Sequence, residues 1–390
     1  MTWKMSEGQL LISDRTVSRQ SSCRIRFPRT MFLAVALFTL TGCGHFGSHP
    51  DSTQATAEIR YSQPSQPQQI GAGFLNGVSP DGSAAYVEEE SKDFPQPGCE
   101  GQPEPVMYRL PVVGGDEKRE LVRDTEDNPV RGQVIRGTGS RIAVVDACEG
   151  FFSALWVGAE TADGHLADLK PVTLRRNDNQ PLPAPYSFSW STDGEHLLAA
   201  VNDPTASRAG SVVRINPATE VITRLFDSGI ASGVSQVGQL DDGSYVIAGN
   251  RKVTLRDAQG AITATFDGNG FALAPDRKRI AAFDQKLLLI TPGQATPVTV
   301  VPAKRDHQIT SANFSPNGRA ISYGHNRDGA DTEVAVVTVA DRTITPITEP
   351  GPFGPSYFSG DGKALAFNRF DSEPAFVATV MLVRFGSGSQ

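Results

Sequence analysis

Side chains able to do chemistry are sparse in these 390 residues, which hold only four Cys and six His. His307 and His325 flank a run rich in β-forming residues. Brought together they could act as ligands or as a general base; the plainer reading is two solvated loop histidines. Asp328, Asp331 and Glu333 follow His325 and offer oxygen donors for calcium, but not at EF-hand spacing. Glu88-Glu89-Glu90 with Asp93 reads as a solvated acidic loop that could receive a basic partner. Trp156 and Trp190 fall in strand-like runs and read as core aromatics. The chain has no Gly-x-Ser-x-Gly elbow, Walker loop, HExxH or CxxC, so no catalytic residue, metal or cofactor is assigned.

The elements that must position these side chains are short. The 38 Gly and 27 Pro are about one residue in six, and they follow no collagen period. Hydrophobic types at 39% and 20 Phe supply enough apolar area for a folded core. A unit recurs: an apolar pair, a small residue or Pro, Asp/Asn-Gly, then an apolar run. Its best copies are Val78-Ser79-Pro80-Asp81-Gly82, Trp190-Ser191-Thr192-Asp193-Gly194, Phe314-Ser315-Pro316-Asn317-Gly318 and Phe358-Ser359-Gly360-Asp361-Gly362. Weaker copies stand at Leu240-Asp241-Asp242-Gly243, Leu273-Ala274-Pro275-Asp276 and Gly137-Thr138-Gly139. Each reads as a hairpin turn, in which Asp or Asn bonds back to the backbone and Gly takes the positive φ.

The turns fall at 81, 138, 193, 242, 276, 317 and 361, a mean spacing near 47 residues. That length suits four short strands, the size of one propeller blade. No segment keeps a helical apolar period, so an all-β fold is expected. The predicted fold is a single β-propeller, most simply of seven blades of four antiparallel strands. Two weak copies leave six blades as the alternative. The seventh unit lacks its fourth strand, while an unassigned strand at 57–61 precedes the first unit. The expectation is that this N-terminal strand completes the last blade and removes two open edges.

Upstream lies an address. Residues 31–40 (MFLAVALFTL) are apolar, with Arg24, Arg26 and Arg29 before them. Ten to twelve such positions span about 18 Å as a helix, short of a bilayer core of about 30 Å. Leu40-Thr41-Gly42-Cys43 is similar to the lipobox of bacterial lipoproteins. The resemblance implies that 1–42 is a signal peptide and that the Cys43 thiol receives a diacylglyceryl group and becomes the first mature residue. An ordinary secretion signal and an uncleaved anchor remain the alternatives. Residues 43–56 then form a flexible tether, 57–386 the propeller and 387–390 a tail. Six Lys/Arg and two acids precede Cys43, so the remaining chain carries 30 basic and 41 acidic side chains, a net charge of −11. That balance argues against a nucleic-acid binder working by bulk electrostatics and against adsorption to an anionic lipid surface without a lipid anchor. With Cys23 removed and Cys43 acylated, Cys99 and Cys148 remain, and an oxidising compartment favours their pairing. Two free thiols are the alternative, and a metal site is weak without neighbouring His.

The repeated unit resembles the TolB-type (WD-like) propeller repeat, apolar-Ser-Pro-Asp-Gly-Lys-x-Ile-Ala-Phe, over nearly all of the mature chain. The resemblance implies a closed propeller acting as a binding platform in the bacterial envelope. TolB itself has six blades and a separate α/β domain, so its own partners are not carried over. In propellers, function gathers on the face built by the loops between second and third strands and between blades. Longer loops of this kind are expected in units 1, 2, 3, 6 and 7, and tight ones in units 4 and 5. Candidate partner-binding residues are Glu88, Glu89 and Asp93 in the first loop and Asp203 in the third. His307, His325 and Asp328 stand around the sixth, and Asp371 in the seventh. The expected function is a monomeric, lipid-anchored, extracytoplasmic, non-catalytic platform for an envelope protein or cell-wall component. The alternative is a small-molecule lyase or hydrolase with its site at the channel mouth.

Overall fold

The computed structural model describes residues 59–91, 104–112, 120–123, 130, 133–136, 140–148, 151–162, 164–172, 185–201, 210–230, 234–294, 296–327, 332–371 and 377–387. Among these residues there are only strands, turns and irregular segments. Two N-terminal strands, β1 (Ile59–Pro64) and β2 (Gln68–Ala72), precede the first blade. Blade 1 comprises β3 (Phe74–Val78), β4 (Ala84–Ser91), β5 (Glu104–Pro111) and β6 (Glu120–Leu121). Blade 2 comprises β7 (Gln133–Arg136), β8 (Arg141–Cys148), β9 (Phe151–Glu160) and β10 (Leu166–Pro171). Blade 3 holds β11 (Pro185–Trp190), β12 (Leu197–Val201), β13 (Ser211–Asn216) and β14 (Val221–Asp227). Blade 4 holds β15 (Gln236–Gln239), β16 (Tyr245–Gly249), β17 (Lys252–Arg256) and β18 (Ile262–Asp267). Blade 5 is β19 (Gly270–Leu273), β20 (Ile280–Phe283), β21 (Leu287–Ile290) and β22 (Val298–Val301). Blade 6 is β23 (His307–Phe314), β24 (Ala320–Arg327), β25 (Thr332–Thr338) and β26 (Ile344–Pro346). Blade 7 has three strands of its own, β27 (Phe353–Phe358), β28 (Ala364–Asp371) and β29 (Val377–Ser387).

The structure is therefore a seven-bladed propeller, and the six-bladed alternative is set aside. Its last blade is completed from the N-terminus, though by two strands where the sequence predicts one. β1 pairs antiparallel with the end of β29 (Ile59 opposite Ser387), and β2 continues along the same edge (Gln68 opposite Leu382). Gly71 lets β2 approach blade 1 closely, since a Cβ there would collide with the Leu110 side chain. Seven apolar clusters fill the seven seams between blades. The cluster at the closure joins Leu75, Val87 and Leu110 of blade 1 to Ala366, Val380 and Leu382 of blade 7. Among the described residues each seam between neighbouring blades is filled by buried apolar side chains.

The hairpin turns explain why the strands start where they do. Ser79 Oγ donates to Asp81 Oδ1 (2.8 Å) and accepts from Ala84 N (2.9 Å), while Asp81 Oδ1 accepts from Ser83 N (2.9 Å). Gly82 takes the left-handed conformation, φ 70°. The same arrangement recurs at Ser315/Asn317 and Ser359/Asp361. Burial alone would raise the Asp81 and Asp193 carboxyls, but the turn hydrogen bonds together outweigh it and hold both below the usual carboxylate range. Trp190 is a fully buried core residue, as expected, and its Nε1 donates to Ile135 O (2.9 Å), whereas Trp156 is only half-buried against the seam between blades 1 and 2.

Candidate functional site

The 1–2 and 3–4 hairpins share one face of the ring, and the connections from second to third strands share the other. Counted between strand ends, twelve residues (92–103) link β4 to β5, and nine (202–210) link β12 to β13. Four (328–331) link β24 to β25, and five (372–376) link β28 to β29. Blades 4 and 5 have tight connections, as predicted; in blade 4, Asn250 and Arg251 close the turn with φ of 51° and 57°. Blade 2 corrects the expectation of a longer loop in the second unit. Its β8/β9 ladder continues past Asp146 through a bulge to Cys148 opposite Phe151, so only 149–150 connect the strands. The longer connections thus belong to blades 6, 7 and 1, a continuous arc across the closure, and to blade 3.

Several candidate residues lie in strands rather than loops. Glu88 and Glu89 belong to β4, which runs to Ser91 because its ladder with β5 persists over eight pairs. Glu88 Oε2 accepts from Asn76 Nδ2 (2.8 Å), so this carboxylate is tied to the innermost strand and half-buried. Asp371 ends β28 and pairs with Arg369 (3.1 Å). Asp93, Asp203 and Asp328 lie outside the described residues, as do Cys43, Cys99, residues 1–42 and the tether. Cys148 ends β8 on the loop face.

The structure brings the two histidines together. His307 opens β23 and His325 lies in β24, one diagonal step apart in the ladder where Ile309 opposes His325. Their Nδ1 atoms are 3.2 Å apart. On the other side, His325 opposes Glu333 of β25, and its Nε2 lies 3.4 Å from Glu333 Oε2. Tyr323 stacks on the His325 ring at 5.7 Å and 24°. His325 is buried, at 6% exposure, in place of the solvated loop position expected. The reason is that β24 extends to Arg327 and carries the ring to the top of the apolar seam between blades 5 and 6. Burial lowers the His325 pKa, Glu333 opposes this, and Lys304 and His307 add to it; the net shift is downward. Because Glu333 and His307 meet opposite edges of one ring, they do not converge on one point. Among the described residues no group of three or more His, Cys, Asp or Glu is arranged to hold a metal ion.

Sequence reasoning missed a set of polar ties between blades. Ser187 Oγ accepts from Val237 N (3.0 Å), Gln236 Oε1 from Phe271 N (2.7 Å), and Asn313 Nδ2 donates to Ser356 O (2.6 Å). At the closure Asn368 Oδ1 accepts from Leu75 N (2.7 Å), and its Nδ2 donates to Gly73 O (2.8 Å). Asn368 is buried within β28. Between blades 1 and 2, Tyr86 Oη donates to Glu160 Oε1 (2.8 Å), and Arg136 of blade 2 holds the same carboxylate with two nitrogens (2.8 and 3.0 Å). The ties that cross seams were illegible because their two partners come from different blades. Only the repeated placement of Ser, Asn or Gln in otherwise apolar first strands could have hinted at them. The chain matches no protein-family model and no curated protein.

Proposed function

We propose that this chain is a lipid-anchored, extracytoplasmic β-propeller that serves as a non-catalytic binding platform in a bacterial envelope. The observation that carries the reading is the contrast between a ring tied at every seam and one uneven loop rim. A scaffold that does not rearrange presents its loops with little ordering cost, which favours affinity through preorganisation. The TolB-like repeats support the envelope setting, and Leu40-Thr41-Gly42-Cys43 supports tethering through Cys43. Two or three acyl chains would anchor such a protein firmly, where one would not. Cys99 and Cys148, the two thiols left after processing, are expected to pair in an oxidising compartment. Titration of the unfolded mature protein would then show no free thiol, whereas two reactive thiols would contradict the bridge. The partner is an envelope protein or a cell-wall component, bound by a monomer.

Photocrosslinkers placed in intact cells at Glu89 and Asp371 on the loop face, and at Asp242 and Asp341 in the hairpins, test the platform. Adducts confined to the loop-face positions are expected. Equal labelling of both faces, or none at either, would overturn the reading. A second reading, a lyase or hydrolase, has one observation in its favour: Glu333 orienting His325 beside His307. A binding partner that is released chemically altered would favour it.

A further inference from the structure

The seam between blades 5 and 6 holds a nitrogen pair that the platform reading leaves unused. Two imidazole nitrogens on one tetrahedral zinc ion, each about 2.0–2.1 Å from the metal, stand about 3.3 Å apart. His307 Nδ1 and His325 Nδ1 are 3.2 Å apart, with their rings tilted by 46°. An independent feature concerns the far nitrogen of His325. Glu333 Oε2 lies 3.4 Å from Nε2 and, accepting its N–H, leaves Nδ1 as a bare lone pair. A carboxylate behind an imidazole in this way fixes the tautomer and strengthens the ring as a metal ligand. Tyr323, itself buried, stacks on that ring and restricts its rotation. His307, at the start of β23, is only half-buried and can pivot.

We propose that His307 Nδ1 and His325 Nδ1 chelate one divalent transition-metal ion of the zinc class, with Glu333 positioning His325. The remaining coordination positions open on the loop face, where a ligand or partner can supply a donor atom. Without metal, His307 donates its Nδ1–H to His325 Nδ1. On binding, that proton passes to His307 Nε2, so both Nδ1 lone pairs reach the ion and the protein neither gains nor loses a proton. Imidazole donors favour zinc or copper over calcium, so this site differs from the calcium reading of the Asp328, Asp331 and Glu333 spacing. Lys304 also faces His325 and opposes the added charge, while Glu333 offsets it. The site does not depend on the platform reading and stands or falls separately.

Zinc chloride titrated into the full-length protein against a chromophoric chelator tests this. The expected result is one more equivalent bound by the wild type than by His307→Gln, which keeps the β fold by circular dichroism. Glu333→Gln should weaken that equivalent about 10–100-fold. Histidine 15N spectra should show both Nδ1 resonances shifting on zinc addition. Zinc uptake equal in wild type and His307→Gln, at any stoichiometry, overturns the site. An unchanged affinity in Glu333→Gln overturns the positioning role of Glu333.

Discussion

Arg277 stands where most copies of the turn carry glycine, and it adopts the same left-handed conformation, φ 53°. It is 5% exposed, and its Nη1 donates to Trp190 O (2.8 Å) and Gln239 O (3.3 Å), clasping blades 3, 4 and 5 on the hairpin face. Left-handed φ costs a non-glycine residue about 1–2 kcal/mol, while hydrogen bonds from a buried charged group contribute about 1.5–3 kcal/mol. The clasp therefore outweighs the strain. Arg277→Ala keeps the strain and loses the bonds, whereas Arg277→Gly loses the bonds and relieves the strain. The expected order of denaturation midpoints is wild type, then Gly, then Ala; a Gly variant at or above wild type would contradict the clasp. His325 gives a pH prediction. Its pKa is lower folded than unfolded, so the unfolded chain binds the extra proton. The stability it contributes is present above the unfolded value of about 6.5 and is lost as the pH falls through that window. Thermal scans from pH 7.5 to 5.5 should show a weaker acid dependence in His325→Gln than in wild type. Parallel slopes would count against the buried neutral ring.

At the level of strands and turns, the legible elements were those whose structure is encoded locally. Ser79-Pro80-Asp81-Gly82 makes its own hydrogen bonds within five residues, so its turn could be read without knowing the fold. β2 could not. Gln68-Gln69-Ile70-Gly71-Ala72 is short, partly polar and contains glycine, and it becomes a strand because the β29 edge accepts it. Likewise the reach of β4 to Ser91 and of β24 to Arg327 depends on long partner strands that local pattern does not reveal. The histidine pair was legible as two residues near one face, but not as a contact, because their distance depends on ladder register. The closure makes a direct prediction. Asn368→Ala leaves Leu75 N and Gly73 O without their buried partner, a loss of about 1–3 kcal/mol for each unsatisfied group. At about 2–4 °C per kcal/mol, the melting temperature should fall by several degrees. Deleting 59–64 should lower it further by stripping β1 from the β29 edge. An unchanged melting temperature in the deletion would contradict closure from the N-terminus.

As a whole molecule, the ring combines sameness and difference. Seven seams share one packing plan, which is why the repeat announced the fold so plainly. The rim is assembled from side chains of separate blades, which is why no linear motif announced a ligand. With residues 1–42 removed, as proposed, the chain carries a net charge of −11 and would not cling to an anionic membrane unaided, so the proposed anchoring rests on the lipid on Cys43. The decisive measurement is the intact mass of the protein recovered from the membrane fraction, compared with its Cys43→Ser variant. The account predicts a chain beginning at Cys43 with a diacylglyceryl adduct, and a variant that leaves the detergent phase. An unacylated chain, or a variant that partitions as before, would contradict it.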